Sequence, residues 1–88
     1  MPSLFIVDVP EYRPMWECAE AEPGVEARHR GAYVELSFDD ELRLDRRATG
    51  VRHAVWYSGV GGVRGATVVQ FDKDALRLVA TPPAASAP

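Results

Sequence analysis

His53 and Tyr57 are the residues whose types and spacing could perform acid–base chemistry. An imidazole titrates near neutral pH and can act as a general base. A phenol four residues later lies on the same side of a helix. We therefore take His53 and Tyr57 as candidate catalytic residues. The more ordinary interpretation is that a histidine near Trp56 is a packed or partly exposed helix residue.

Three arginines near this segment are candidates for binding an anion. Arg46, Arg47 and Arg52 surround Thr49, the predicted N-cap of a helix. The positive end of a helix dipole beside guanidinium groups attracts carboxylate or phosphate. The competing interpretation is that these arginines are solvated surface groups that pair with nearby carboxylates.

The glycine-rich segment WYSGVGGVRG, residues 56–65, raises the question of a phosphate-binding loop. Such a loop places its glycines after a strand and before a helix, where backbone N–H groups face the anion. Here the glycines follow a helix predicted over residues 51–62 and precede a strand. The order therefore favours Gly61 and Gly62 as the end of that helix. A strand over residues 52–60 is the alternative, because Val-Trp-Tyr favours extended structure.

Composition and charge exclude several function classes. The single cysteine, Cys18, rules out an intramolecular disulfide and, with two distant histidines, gives no standard zinc signature. A net charge of −3 argues against a duplex nucleic-acid binder. No apolar run reaches the roughly 18 to 20 residues of a membrane span. We expect no metal, no cofactor, no duplex nucleic acid and no membrane partner.

Hydrophobic periodicity predicts the first two elements. The continuous apolar run of residues 4–7 predicts a strand in the interior of a sheet. An amphipathic helix follows, because apolar residues recur at the i, i+3, i+4 and i+7 positions Tyr12, Met15, Trp16 and Ala19. Pro23-Gly24 ends this helix.

Alternation with a period of two predicts strands along the rest of the chain. Residues 33–38 and 41–45 alternate polar and apolar side chains on either side of Asp39-Asp40, which predicts a hairpin. Residues 25–29 predict a preceding strand. Residues 66–78 predict a second hairpin.

The resulting element order is β-α-β-β-β-α-β-β. It predicts an α+β two-layer sandwich, with one mostly antiparallel sheet and two helices on one face. A small all-β barrel is the alternative if residues 52–60 are a strand. Residues 1–80 are predicted to form a single small globular domain. The Pro/Ala-rich residues 81–88 are predicted to be a disordered tail.

Two function classes follow from these features. Without a catalytic or metal signature, the chain is expected to be a small cytosolic interaction or accessory protein and not an enzyme. It would self-associate as a homodimer or bind another protein, because a small sheet leaves an edge or face to cover. Trp16 and Trp56 are the candidate interface anchors.

The alternative is a small bacterial biosynthetic enzyme or ligand-binding protein. It would recognise an anionic small molecule, a carboxylate or phosphate, with His53, Tyr57 and the arginines named above. The bacterial source is inferred from composition, since Lys73 is the one lysine among ten basic residues. The cytosolic location is inferred from an N-terminus without a signal-peptide pattern.

Overall fold

The computed structural model describes residues 1–81 as seven strands and three short helices. The α+β class predicted from the sequence is confirmed. In chain order the elements are β1 (Ser3–Val7), a 3-10 turn (Pro10–Tyr12), α1 (Arg13–Glu20), β2 (Glu26–Arg30), β3 (Tyr33–Ser37), β4 (Glu41–Asp45), α2 (Arg46–Thr49), α3 (His53–Ser58), β5 (Val60–Arg64), β6 (Ala66–Phe71) and β7 (Ala75–Ala80). The tail predicted over residues 81–88 lies, from residue 82 onward, outside the described residues.

The strands divide between two antiparallel sheets, where the sequence predicted one. Sheet A has the order β2-β3-β1-β5, and sheet B has the order β4-β7-β6. β1 lies inside sheet A, as its apolar run predicts, and Leu4 and Ile6 are fully buried. Within the described part of the chain both sheets are open and residues 53–58 are helical, so the all-β barrel alternative does not apply.

Residues 38–40 carry the chain from sheet A to sheet B, so the hairpin predicted over residues 33–45 does not form. The Phe38 N–H donates to the Pro2 carbonyl at 3.1 Å, whereas the Asp40 carbonyl accepts from the Ala80 N–H of sheet B at 2.8 Å. β3 pairs with β1 and β2, and β4 pairs with β7. Alternation determines which side chains are buried but leaves the neighbouring strand unspecified.

Gly61 and Gly62 lie in a strand and do not end a helix. A helix within the predicted range does form, but it stops at Ser58, and the glycine pair belongs to β5. Pairing with β5 supplies β1 with its second neighbour, which no local pattern could reveal. Gly65 is the single residue between β5 and β6, and its φ of 69° is a backbone conformation that glycine adopts without strain.

One hydrophobic core lies between the inner faces of the two sheets and the helices. Met15 and Ala19 of α1 are fully buried, as their spacing predicts. They pack in one cluster with apolar residues of sheet A, sheet B and α3: Leu4, Ile6, Val34, Leu36, Leu42, Leu44, Leu76, Leu78 and Trp56. Among residues 1–81, no helix has both the length and the apolar character that a membrane span requires.

Candidate protein-docking face

The outer face of sheet A, on the side away from the core, brings together aromatic rings, glycines and arginines. Side chains alternate across a strand, so Leu4 and Ile6 enter the core while Phe5 faces out. The register then places Gly62 beside Phe5. We call this surface the docking face and define it by Phe5, Val7, Glu26, Arg28, Arg30, Tyr33, Glu35, Ser37, Gly61, Gly62 and Arg64. Ser3 points to the same side of the sheet but is buried.

Tyr33 and Phe5 form the apolar centre of the docking face. Their rings meet edge to face, with centroids 6.5 Å apart. The Tyr33 ring also lies against the backbone of Gly61, because a Cβ at that glycine would overlap the ring. The Arg64 guanidinium lies 5.6 Å from the centroid of Phe5. The absence of a side chain at Gly61 therefore lets the Tyr33 ring pack against the backbone of the sheet, where Tyr33 stays 39% exposed.

Glu35 organises the polar part of the docking face. Ser3 donates its hydroxyl to one carboxylate oxygen at 2.8 Å, and Arg30 Nε donates to the other at 2.6 Å. The bond from Ser3, followed by that from Arg30, holds the pKa of Glu35 below its ordinary value despite partial burial. The carboxylate therefore stays ionised at neutral pH and holds Arg30 in place.

The docking face is suited to binding another protein. Tyrosine, phenylalanine and arginine are enriched at protein interfaces, and tyrosine and arginine dominate their binding energy. These residues were not candidates from the sequence, because Tyr33, Glu35 and Ser37 form the polar phase of an alternating strand. An aromatic residue in a solvent-facing phase was the signal that could have identified the face.

His53 and Tyr57 lie on the exposed side of α3. His53 begins the helix, and Tyr57 is 48% exposed with its ring 5.3 Å from that of Phe71. Neither of two surface grooves, one beside β4 and one beside the start of α1, is lined by these two residues. Their catalytic role stays a prediction.

The arginines proposed for anion binding lie on different elements. Arg46 and Arg47 begin α2, and Thr49 ends that helix, so the prediction of Thr49 as the N-cap of the next helix is wrong. The Arg46 guanidinium donates to the backbone carbonyls of Lys73 and Val51. Arg52 immediately precedes α3 and is exposed. Anion binding by the three arginines stays a prediction, although Arg46 already serves to join α2 to the β6–β7 turn.

The two tryptophans differ in burial. Trp56 is fully buried, and its indole N–H donates to the Asp72 carbonyl at 2.7 Å, so it offers no surface to a partner. Trp16 is half-buried, with its ring 5.3 Å from that of His29 and 5.9 Å from the Arg13 guanidinium. An interface role for Trp16 stays a prediction.

Comparison with known proteins gives a similarity to solved structures. No protein-family model and no curated protein matches the chain. Among solved structures, the chain is similar to one in the structure of a phenol hydroxylase–regulatory protein complex, with a TM-score of 0.74 and 17% sequence identity. The match covers 91% of this chain and 98% of that chain. At this identity, the similarity establishes a shared fold.

Proposed function

We propose that this chain is a non-enzymatic regulatory protein that binds an enzyme of the hydroxylase class and changes its activity. The similar chain comes from a complex of a phenol hydroxylase with a regulatory protein, and 98% of it is covered by this short chain. A chain that small corresponds to the regulatory component of that complex and not to the enzyme. The observation on this molecule that carries the proposal is the docking face.

The docking face has an apolar centre and a charged margin. Tyr33 and Phe5 form the centre, and Arg30 and Arg64 supply positive charge beside it. The bonds to Glu35 order one of these arginines before a partner arrives, which reduces the entropy lost on binding. An enzyme surface with an apolar pocket and neighbouring carboxylates would complement this arrangement.

The proposal includes a cytosolic bacterial setting, as expected from the composition. It also includes a homodimer when the enzyme is absent, in which a second copy covers the docking face. Enzyme and second copy would then compete for the same residues. Light scattering of the chain, with and without the enzyme, measures this competition.

Binding and activity together test the proposal. Proteins captured on the immobilised chain from an extract of the source organism are identified, and the captured enzyme is purified. Its turnover is then measured against increasing concentrations of the chain. We expect a hydroxylase whose turnover changes and then saturates. Capture of a protein without hydroxylase activity, or a turnover that does not respond to the chain, would contradict the proposal.

Two matched variants test the role of the docking face. Tyr33→Asp and Val79→Asp each place a carboxylate at an apolar position, 39% and 38% exposed respectively, but Val79 lies on sheet B. We expect Tyr33→Asp to weaken enzyme binding by about 30-fold, as for a hot-spot side chain worth about 2 kcal/mol. Val79→Asp should bind like the wild type. Equal losses in the two variants would place the interface elsewhere.

A further inference from the structure

β4 forms one edge of sheet B, and half of its backbone groups face away from the sheet. The Asp40 carbonyl accepts from the Ala80 N–H just before this strand, and just after it the Arg46 N–H donates to the Asp74 carbonyl, in the turn that precedes β7. In an antiparallel pair with this register, the even-numbered residues of β4 direct their backbone groups toward β7. Within residues 1–81, the N–H and C=O of Glu41 and Arg43 therefore point outward without a neighbouring strand.

A groove of about 590 Å³ runs along this edge. All five residues of β4 line it, whereas a cavity over one face of a strand would be lined by alternate residues. The end of α1 and the loop after it form the facing wall, with the residues Cys18, Glu22, Pro23 and Val25. Ala48 of α2 completes the lining. Space beside an unpaired strand edge is what an added strand occupies.

The groove beside β4 is acidic. Its lining contains three carboxylates and one guanidinium: Glu22, Glu41, Asp45 and Arg43. Arg77 pairs with Glu41 from outside the groove at 3.1 Å, which still leaves the carboxylates in excess. Burial first, and nearby carboxylates second, raise the pKa of the Cys18 thiol in the wall. A ligand of this groove is therefore expected to be positively charged.

We infer that an extended segment of a partner protein, with lysine or arginine at alternate positions, adds to sheet B along β4. Its backbone bonds to the N–H and C=O groups of Glu41 and Arg43. Its basic side chains face the carboxylates of the groove, and the apolar side chains between them contact Pro23 and Val25. This inference does not rest on the proposed function, since β4 and the docking face belong to different sheets.

A second copy of the chain is the weaker candidate for this groove. Its β4 would bring the same excess of carboxylates to the contact. Its own α1 and the following loop also stand beside its β4 edge and would have to be accommodated in the same space. A free extended segment with basic side chains has neither the like charge nor the neighbouring helix and loop.

A synthetic peptide tests the inference directly. The probe is acetyl-Thr-Lys-Val-Lys-Val-Lys-Thr-amide, titrated into the ¹⁵N-labelled chain at low salt. We expect the backbone amide resonances of Glu41 and Arg43 to shift, their hydrogen exchange to slow, and alkylation of Cys18 to slow. The same peptide N-methylated at alternate amides keeps its charge but loses its donors, and should bind about tenfold more weakly.

Two substitutions at one position separate strand addition from simple charge attraction. Arg43→Pro and Arg43→Ala both remove the guanidinium, but proline also removes an N–H that the fold leaves unpaired at an edge. Thermal melts verify that both variants fold. We expect Arg43→Ala to bind the peptide at least as tightly as the wild type, and Arg43→Pro to bind it about tenfold more weakly.

Three results would overturn the inference. The first is the absence of peptide binding to the wild-type chain. The second is equal binding of the methylated and unmethylated peptides, because charge attraction would then account for all of the binding. This comparison uses only the wild-type chain and does not depend on the folding of any variant. The third is a concentration-dependent dimer that Arg43→Pro abolishes, which would identify a second copy as the occupant of the groove.

Discussion

Tyr33 of β3 reaches across β1 and lays its ring on the backbone of Gly61 in β5. Three strands therefore contribute to a single patch. The position of this ring depends on a residue that has no side chain, and the same ring forms the centre of the docking face. A single methyl group at position 61 would change that surface.

Gly61→Ala should displace the Tyr33 ring without unfolding the protein. Gly61 has no positive φ, so alanine is compatible with its backbone. The exposed ring can rotate away, and we expect the free energy of unfolding to change by no more than about 1 kcal/mol. The measurement is the chemical shift of the Tyr33 ring protons. Gly62→Ala is the control, since a Cβ there meets nothing within 4 Å. Unchanged ring shifts in Gly61→Ala would contradict the contact.

Glu35→Gln should lower stability more at neutral pH than in acid. Because folding lowers the pKa of Glu35, its stabilisation is complete above the unfolded pKa of about 4.3 and is lost as the pH falls through the lower folded value. Urea unfolding at neutral pH and at about pH 3 should therefore show a smaller advantage of the wild type at the lower pH. Glu26→Gln, which alters an exposed pair with Arg28 at 3.6 Å, should show almost no difference at either pH. A difference that is the same at both pH values would argue against the ionised network.

Trp56→Ala and Tyr57→Ala should differ strongly although the two residues are adjacent. Trp56 is fully buried and bonded to the Asp72 carbonyl, so its removal leaves a cavity and costs about 3 to 5 kcal/mol. Tyr57 is 48% exposed, and its removal should cost about 1 kcal/mol or less. Denaturant unfolding measures both. Similar losses would mean that α3 does not present Trp56 to the core.

Asp72→Ala should lower the melting temperature, and Asp72→Asn should lower it less. The Asp72 carboxylate accepts from the N–H groups of Asp74 and Ala75 at 2.9 and 3.0 Å. The bond from Ala75, followed by that from Asp74, lowers the pKa of Asp72. Asparagine keeps an oxygen acceptor in the turn, whereas alanine keeps none. If the two variants melt together, the side-chain bonds do not stabilise this turn.

The α+β class, the buried face of α1 and the hairpin of β6 and β7 could all be predicted from the sequence. Each depends on contacts between residues close in the chain. The docking face could not be predicted, because Tyr33, Phe5 and Gly61 come from three strands that only the sheet order makes neighbours. Read along β3 alone, Tyr33 was one solvent-facing residue among polar ones.

The sequence by itself determined which side of each element is apolar, since helical and strand periods are local properties of the chain. The tertiary structure decided which strands are neighbours. Residues 38–40 and Gly65 carry the chain from one sheet to the other. Their backbone N–H and C=O groups form hydrogen bonds with residues that are distant in the sequence. Backbone pairing is nearly independent of side-chain identity, so strand order is set when all buried faces close around one core. That closure created both the docking face and the open edge of β4.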